Sequence, residues 1–162
     1  MGVNRLFSLD LAVKEGKPIF TNMAHFNVRV YGIWISGSQL LVNEEIIQGR
    51  KILKLPGGGL ELGEGLLDGL RREWQEELGL EIEVLEHYYT TDFYQQSAFD
   101  NSQVISVYYR VSADPSLGII NKEHNERAYW LPLMDLRADS FSLPIDQVVA
   151  QKLILGMQAN CL

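Results

Sequence analysis

Segments rich in β-branched and aromatic residues alternate with short turn signals along much of the chain. FNVRVYGIWI is followed by the turn-forming SGS and then by QLLVNEE, a pattern that predicts a β-hairpin over residues 26–45. IEVLEHYYTTDFY and VISVYYRVSA have the same composition and are joined by the polar segment QQSAFDNSQ. These two segments predict a second pair of strands.

Two further segments have helical spacing. The first is predicted to run from Gly65 to Leu78, and a closing helix is predicted to begin at Ser142 and Pro144 and to end at Gly156. The apolar residues of the first helix share one arc at about 100° per residue, and they are Leu66, Leu67, Leu70, Trp74 and Leu78. Because strands precede and follow this helix, we predict an α/β fold with a mixed β-sheet packed between helices.

The length of 162 residues fits one domain, since domains cluster near roughly 100–150 residues. We therefore assign residues 1–162 to a single domain, with residues 1–25 as an N-terminal extension. Within this extension, LFSLDLAV is apolar enough to form an edge strand that pairs with a second copy of the chain. A homodimer is the resulting expectation.

The charge balance argues against polymeric and membrane partners. Fourteen basic residues against 21 acidic ones give a net charge of -7, which disfavours binding to nucleic acid polymers or anionic membranes. The N-terminal segment lacks the pattern of a secretion signal, and no apolar run reaches about 18 residues. The single cysteine, Cys161, cannot form an internal disulfide. These features predict a cytoplasmic protein.

The polar face of the central helix concentrates negative charge. Glu73 and Glu77 are four residues apart and Glu76 lies between them, so their side chains begin only about 5–6 Å from one another. At an effective dielectric constant near 20, each close pair of carboxylates costs on the order of 2–3 kcal/mol. A divalent cation reverses the sign of that interaction, and Mg²⁺ prefers such oxygen ligands. A solvated acidic face has the same spacing, so the helix alone predicts a metal site only weakly.

The segment LPGGGLELGEG before this helix strengthens the prediction. Pro56 fixes one bend, and the glycines at 57–59 permit backbone conformations that are closed to other residues. Exposed amides in such a loop, with the N-terminal end of the helix, can receive an anion, and an exposed carbonyl can bind a metal ion. An ordinary tight connection would explain the glycines alone. The loop and the acidic face together favour a site for a cation and a phosphate.

These residues resemble the Nudix hydrolase signature, which reads Gly, five residues, Glu, seven residues, Arg-Glu, an apolar residue, any residue, Glu-Glu, any residue, Gly and an apolar residue. Every fixed position is filled, by Gly58, Glu64, Arg72, Glu73, Trp74, Glu76, Glu77, Gly79 and Leu80. Two positions differ from many members, because Trp74 is bulkier than the usual aliphatic residue and Gly69 replaces alanine. The resemblance implies a Nudix-type α/β/α sandwich. It also implies hydrolysis of a diphosphate linkage in a nucleoside diphosphate derivative with Mg²⁺ or Mn²⁺.

The resemblance also implies roles for individual residues. Glu73 and Glu77 are the expected metal ligands, and the carbonyl of Gly58 is expected to join them. Glu76 is expected either to be a third ligand or to orient a metal-bound water for catalysis. Arg72 resembles the arginine that holds a neighbouring carboxylate in place, here Glu64 or Glu73.

The general base is not determined by the signature, because related enzymes take it from the signature helix or from a glutamate in a later loop. Glu76 is the candidate on the helix. The segment NKEHNERAYW offers Glu123 and Glu126, and we favour Glu126 because it directly precedes the predicted strand AYWLPL. His124 is a further candidate in the same segment.

The substrate is left open among nucleoside triphosphates, ADP-ribose and other nucleotide sugars, and dinucleoside polyphosphates. The resemblance also leaves two other classes to consider, a non-catalytic Nudix-fold module that binds a nucleotide or metabolite, and an isoprenoid diphosphate isomerase. The isomerases rely on an internal cysteine, and Cys161 does not suit that role. The residues that could contact a substrate are Tyr31, Tyr89, Phe93, Tyr94 and Tyr108 by stacking, and Arg29, Lys51 and Lys54 by charge.

Overall fold

The computed structural model describes residues 13–14, 17–18, 25–119 and 126–159. Its strands are β1 (Val13–Lys14), β2 (Lys17–Pro18), β3 (His25–Ile33), β4 (Ile35–Ser36), β5 (Gln39–Ile47), β6 (Arg50–Lys54), β7 (Gly57–Gly59), β8 (Glu83–Thr90), β9 (Ser102–Ser112) and β10 (Glu126–Pro132). Its helices are α1 (Leu66–Leu78) and α2 (Pro144–Gln158), and two short 3-10 turns span Leu133–Asp135 and Ala138–Ser140. The segment 6–12 of the predicted N-terminal edge strand lies outside the described residues.

The long strands form two sheets. The first has the order β7-β3-β9-β8, and it is mixed because β3 and β9 run parallel while the other neighbours are antiparallel. In the second sheet, β5 pairs with β10, β4 and β6, all antiparallel. The two helices pack on these sheets through separate cores, so the predicted α/β/α sandwich is confirmed.

The predicted hairpin over residues 26–45 is wrong in its pairing. Only Ile35–Ser36 pairs with Gln39–Leu40 across the turn, whereas β3 lies in the other sheet between β7 and β9. The turn signal SGS correctly marks a reversal of the chain, but a turn fixes only the residues next to it. The parallel partner of β3 is about 75 residues further along the chain, and no local pattern identifies a partner at that distance. The second predicted pair is correct, since β8 and β9 are antiparallel neighbours.

Both faces of the central strands are buried, and alternate side chains enter two different cores. In β5, Leu40 and Val42 belong to the core beside α2, and Leu41 belongs to the core beside α1. This double burial explains why LLV has no polar interruption. Helix α2 contributes Ile145 and Leu153, among other residues, to its core, and each such buried side chain contributes about 1.5–3 kcal/mol.

Helix α1 begins and ends close to the predicted residues. Gly79 adopts a left-handed conformation with φ of 69°, and its amide donates to the carbonyl of Gln75 while the amide of Leu80 donates to that of Trp74. This arrangement satisfies carbonyls at the end of the helix and requires glycine at 79. Leu67 was assigned to the buried face of this helix but is exposed, since it lies in the first turn and the buried side of α1 starts only at Gly69.

The predicted bounds of the closing helix are partly wrong. Helix α2 starts at Pro144 as expected, but it continues past Gly156 to Gln158. The cost of a glycine inside a helix is about 1 kcal/mol, and the packing of Met157 on the core beside α2 offsets it. Ser142 does not cap the helix, since its hydroxyl accepts a hydrogen bond from the amide of Leu53 at 2.9 Å.

The two unusual signature positions have steric explanations. Trp74 is fully buried, and it packs against Gly32 so closely that a Cβ atom at 32 would lie 2.6 Å from the indole ring. A Cβ atom at Gly69 would lie 2.7 Å from Leu60 and 2.9 Å from the Glu64 carboxylate. Gly69 therefore makes room for the loop before α1, and Gly32 makes room for Trp74.

Candidate functional site

A cleft of about 380 Å³ lies between the strands of both sheets, α1 and the first turn of α2. The connection from β8 to β9 closes one side with residues 95–100. The acidic residues in its lining are Glu45, Glu73, Glu77, Asp100 and Glu126, and the cations are Arg29 and Lys54. The cleft therefore brings four glutamates from α1, β5 and β10 next to two basic side chains.

Strand register explains how distant residues meet there. Glu126 of β10 is directly opposite Glu45 of β5, and Lys54 of β6 is opposite Asn43 of β5 on the other side. Glu77 approaches the same point from α1. We call Lys54, Glu45, Glu77, Glu126 and Asn43 the Lys54 cluster. Neither Asn43 nor Glu45 was predicted, although Asn43 directly follows the apolar run LLV and could have drawn attention as a polar residue in a buried strand.

Lys54 is the centre of this cluster and is only 4% exposed. Its Nζ atom lies 2.6 Å from Glu45, 3.5 Å from Glu77 and 3.8 Å from Glu126. Burial opposes the positive charge, but the surrounding groups, Glu77 foremost, outweigh it and raise the pKa of Lys54. Lys54 is therefore a buried, charged ammonium group that faces carboxylates.

Glu77 is buried and only loosely held. The amide of Gly57 donates to its Oε2 atom at 3.3 Å, and Asn43 and Lys54 both approach at 3.5 Å. Burial raises the pKa of Glu77 to about 7, although Lys54 opposes this shift. The carboxyl group thus lacks the close partners that would stabilise its charge fully.

Glu126 faces Glu77 across the cluster. Asn43 donates to its Oε2 atom at 3.1 Å, which fixes the orientation of the carboxylate. Partial burial raises the pKa of Glu126, with Lys54 opposing the shift. The other two candidates from this segment, Glu123 and His124, lie outside the described residues.

Arg72 organises a second group on the outer side of α1. Its guanidinium binds Glu64 through two hydrogen bonds of 3.1 and 2.7 Å, and it also donates to Glu73 at 2.9 Å and to Glu76 at 3.0 Å. A fifth bond of 3.0 Å reaches the carbonyl of Gly59. We call these five residues the Arg72 cluster. The hydrogen bond from Arg72 lowers the pKa of Glu64 to about 2.

The three acids of the signature helix therefore divide between two environments. Glu77 points into the Lys54 cluster, whereas the Glu76 side chain is 61% exposed and contacts Arg72. Glu73 belongs to both environments, since it accepts a hydrogen bond from Arg72 and also lines the cleft. The expected proximity of Glu73 and Glu77 is present, and Glu76 lies apart from the cleft.

Gly58 lies directly against Glu73. A Cβ atom at 58 would be 2.4 Å from the Glu73 carboxylate, whereas a Cβ atom at Gly59 would meet nothing closer than Arg29 at 3.8 Å. Gly57 has a φ of 134°, a conformation that L side chains rarely adopt. Strand β7, which we call the glycine strand, thus lets its backbone approach the Glu73 carboxylate.

The donor set fits a divalent cation such as Mg²⁺ or Mn²⁺. Glu73, Glu77 and Glu126 offer only oxygen atoms, which these ions prefer, and the close contact of Gly58 with Glu73 leaves no space for another side chain there. Within residues 25–119 and 126–159, no three acidic, histidine or cysteine side chains are close enough together to hold an ion directly. In the Lys54 cluster the carboxylates surround the ammonium group instead.

Several predicted substrate contacts line the cleft and others do not. Tyr31 and Tyr108 stack with ring centroids 5.2 Å apart, and the Nε atom of Arg29 donates to the Tyr31 hydroxyl at 2.6 Å. Tyr89 is buried outside the lining, and Phe93 and Tyr94 also lie outside it. Lys51 is on the surface, where it pairs with Glu44 at 2.9 Å.

The fold and the site define an α/β protein with an acidic signature helix beside a glycine strand. The NUDIX domain model matches residues 25–151, and the chain therefore belongs to the NUDIX family, as its signature indicated. The comparison with curated proteins finds no match. No helix of the described segments combines the length and apolar character that a membrane crossing requires.

Solved structures share this fold at low sequence identity. A NUDIX hydrolase from Nitrosomonas europaea is 21% identical with a TM-score of 0.62, covering 78% of this chain and 88% of that chain. A MutT NUDIX hydrolase from Burkholderia pseudomallei is 18% identical with a TM-score of 0.64, covering 78% and 96%. An ADP-ribose pyrophosphatase from Streptococcus suis is 18% identical with a TM-score of 0.56, covering 83% and 91%. These similarities show that the chain shares the fold of the solved structures, in agreement with the family match over residues 25–151.

Proposed function

We propose that the protein hydrolyses a diphosphate linkage in a nucleoside diphosphate derivative with the help of Mg²⁺ or Mn²⁺. The observation that carries this proposal is the convergence of Glu73, Glu77 and Glu126 on one cleft beside the glycine strand. Glu73, Glu77 and the carbonyl of Gly58 would hold the ion. The ion, when bound, supplies positive charge to the diphosphate oxygens and the leaving phosphate.

The protein side chains orient the substrate and move the proton. Glu126 is our choice for the general base, because its raised pKa brings it closer to neutral pH and Asn43 fixes its carboxylate. Glu76 is the second choice for the general base. It ranks below Glu126 because its exposed side chain contacts Arg72 and does not line the cleft. Arg72 is a positioning residue that holds Glu73 at the cleft.

The part of the cleft that is lined by Arg29, Gly58, Gly59 and Phe99 suits the remainder of the substrate. Arg29 donates through Nε to Tyr31 and thereby presents the rest of its guanidinium group next to the lining of Gly58 and Gly59, where a phosphate would be neutralised. Phe99, in the connection from β8 to β9, adds an aromatic side chain to the lining. Nucleoside triphosphates, ADP-ribose and other nucleotide sugars, and dinucleoside polyphosphates all have the required diphosphate.

The test is a panel of these diphosphate compounds incubated with Mg²⁺ or Mn²⁺, with the products identified by chromatography and mass spectrometry. We expect one compound class to yield a nucleoside monophosphate and a second phosphate product, and chelation of the metal to stop the reaction. Tight binding of a panel compound without turnover would indicate a non-catalytic binding module instead. Products in which every diphosphate linkage of the starting compound is intact would contradict cleavage at a diphosphate linkage.

Three further expectations accompany this function. We propose that residues 1–162 form one domain and that a homodimer forms through the N-terminal segment. We also propose that the protein works in the cytoplasm. Its substrate is proposed to be a small molecule, because the net charge of -7 disfavours nucleic acid polymers. Light scattering on the wild-type chain and on a chain without residues 1–12 would test the dimer.

A further inference from the structure

Lys54 is buried in the cleft, which is unusual for a lysine side chain. It ends β6, and its ammonium group is buried among carboxylates from β5, α1 and β10. Buried lysines are rare unless they are paired, and this one contacts three acids. The contacts come from three separate elements, so the ammonium group connects β6 to β5, α1 and β10 at one point.

The chemistry of the ammonium group explains why it suits this place. A lysine has three N–H donors around a compact charge, and here three carboxylates surround it. Only the contact to Glu45, at 2.6 Å, has the length of a good hydrogen bond, while those to Glu77 and Glu126 are 3.5 and 3.8 Å. The ammonium group is therefore held mainly by charge and anchored on Glu45.

With Lys54 removed, the same position would suit a divalent cation once the carboxylates move closer together than they lie around the ammonium group. Without Lys54, Glu45, Glu77 and Glu126 would place up to three negative charges around one buried point, next to the amide of Asn43. Such an arrangement is strongly unfavourable unless a cation is present. The structure meets this requirement with a covalently attached charge.

We propose that Lys54 is a resident cation that takes the place of one divalent ion among Glu45, Glu77 and Glu126. It keeps these carboxylates together in the metal-free protein and limits how many divalent ions the cleft accepts, and how tightly. Lys54 is thus a positioning residue for Glu77, a proposed ligand of the catalytic ion, and for Glu126, the proposed general base. This inference rests on the proposed function, because it treats the cleft as a divalent cation site.

The test is the uptake of Mn²⁺ by the full chain without substrate, measured from the electron paramagnetic resonance signal of free Mn²⁺. The key variant is Lys54→Met, which keeps an unbranched side chain that is one atom shorter and removes the charge. Lys51→Met is the matched control, since Lys51 lies on the same strand but is 71% exposed. Lys54→Arg retains the charge and serves as the conservative variant.

We expect Lys54→Met to take up one more Mn²⁺ than the wild type, or to bind Mn²⁺ more tightly by about tenfold or more, the effect of one unit charge near a divalent ion under strong screening. Lys51→Met and Lys54→Arg should bind as the wild type does. The same number of ions with unchanged affinity in Lys54→Met would overturn the proposal. A merely structural lysine would alter stability in this variant and leave Mn²⁺ uptake as it was.

A failure of Lys54→Met to fold without metal also has a defined interpretation. The proposal then requires Mn²⁺ to restore folding, with a larger rise of Tm on Mn²⁺ addition than in the wild type. A variant that stays unfolded in saturating Mn²⁺ would contradict the proposal. Because no substrate is present, these results separate from the proposed function, which is tested by cleavage of the diphosphate panel.

Discussion

The Arg72 cluster and the Lys54 cluster are built from the same materials, one cation and three glutamates, yet they differ in almost every physical respect. Arg72 is partly exposed and makes five hydrogen bonds of 2.7 to 3.1 Å. Lys54 is buried and makes one short contact and two long ones. The planar guanidinium group matches carboxylate pairs, whereas the ammonium group acts as a point charge.

The difference is expressed in the protonation of the acids. In the Arg72 cluster the pKa of Glu64 is lowered to about 2, so its charge is stabilised. In the Lys54 cluster burial raises the pKa of Glu77 to about 7, so its charge is disfavoured. The Arg72 cluster has its hydrogen bonds satisfied, so it stabilises the loop and the helix. The carboxylates of the Lys54 cluster are not fully satisfied, so binding of a ligand there can be favourable. Function is therefore expected in the second cluster, supported by the first.

The largest expected effect distinguishes the acids of the two clusters within one helix. Glu77→Gln should lower kcat/KM by about 10²–10³-fold, the range found when one group that stabilises transition-state charge is removed. Glu76→Gln should lower it much less, because Glu76 is exposed and contacts Arg72. Steady-state kinetics on the substrate identified by the panel measures both.

Equal losses in the two variants would contradict the division of the helix into two environments. Glu81→Gln is the control for a change of charge alone, because Glu81 is an exposed residue just after α1 and outside both clusters. Its kinetics should match those of the wild type.

The second prediction concerns Glu73, which belongs to the Arg72 cluster and also lines the cleft. Gly58→Ala should displace the Glu73 carboxylate, since the new Cβ atom would lie 2.4 Å from it, and should reduce kcat by about 10–100-fold. Gly59→Ala should have a small effect, because its nearest contact is at 3.8 Å. If both alanine variants kept full activity, the close approach of the glycine strand to Glu73 would have no catalytic role.

The third prediction tests the structural role of the Arg72 cluster. Arg72→Ala removes all five hydrogen bonds and should lower the free energy of unfolding by about 1–3 kcal/mol, measured by urea denaturation. The matched variant Arg71→Ala should change it by no more than about 0.5 kcal/mol, because Arg71 is exposed and has one ion pair of 3.7 Å with Asp68. Similar stabilities for the two variants would show that the network contributes little.

The smallest expected effect concerns how the stability of the metal-free protein depends on pH. The two clusters should contribute to this dependence with opposite sign. Glu64 has a lowered pKa, so its stabilisation is present above about pH 4.5 and is lost as the pH falls toward 2. Glu77 has a raised pKa, so stability is lost as the pH rises from about 4.5 to 7, where the unfolded chain ionises first.

Unfolding free energies of Glu64→Gln and Glu77→Gln, each compared with the wild type at several pH values, measure these two contributions. Glu77→Gln should become more stable relative to the wild type as the pH rises from about 4.5 to 7, and Glu64→Gln should lose its deficit in stability as the pH falls from about 4.5 toward 2. A common sign for the two variants would refute the contrast between the clusters.

Local patterns predicted the parts of this protein that depend on neighbouring residues. Helix α1, its termination at Gly79 and the pairing of β8 with β9 follow from spacing, from a glycine and from strand composition. The partner of β3 and the burial of Lys54 could not be predicted in this way. They depend on which distant strands lie side by side, and the registers of β5 with β6 and β10 are set by the whole fold.

The same limit applies to the candidate site. The signature identified Glu73 and Glu77, but it contains no information about Glu45 or Asn43, which lie before it in the chain. Both enter the cluster because β5 runs between β6 and β10. A sequence motif therefore identified the acids of the helix, and only the three-dimensional arrangement showed the cation among them.

The contact between Gly32 and Trp74 constrains the order in which substitutions at these two positions can occur during evolution. An indole ring at 74 fits only where 32 has no side chain, because a Cβ atom there would be 2.6 Å from the ring. A lineage with a smaller residue at 74 must therefore acquire the glycine before the tryptophan, since the reverse order passes through an overpacked core. Replacing Gly32 in this protein should be tolerated only together with a smaller side chain at 74.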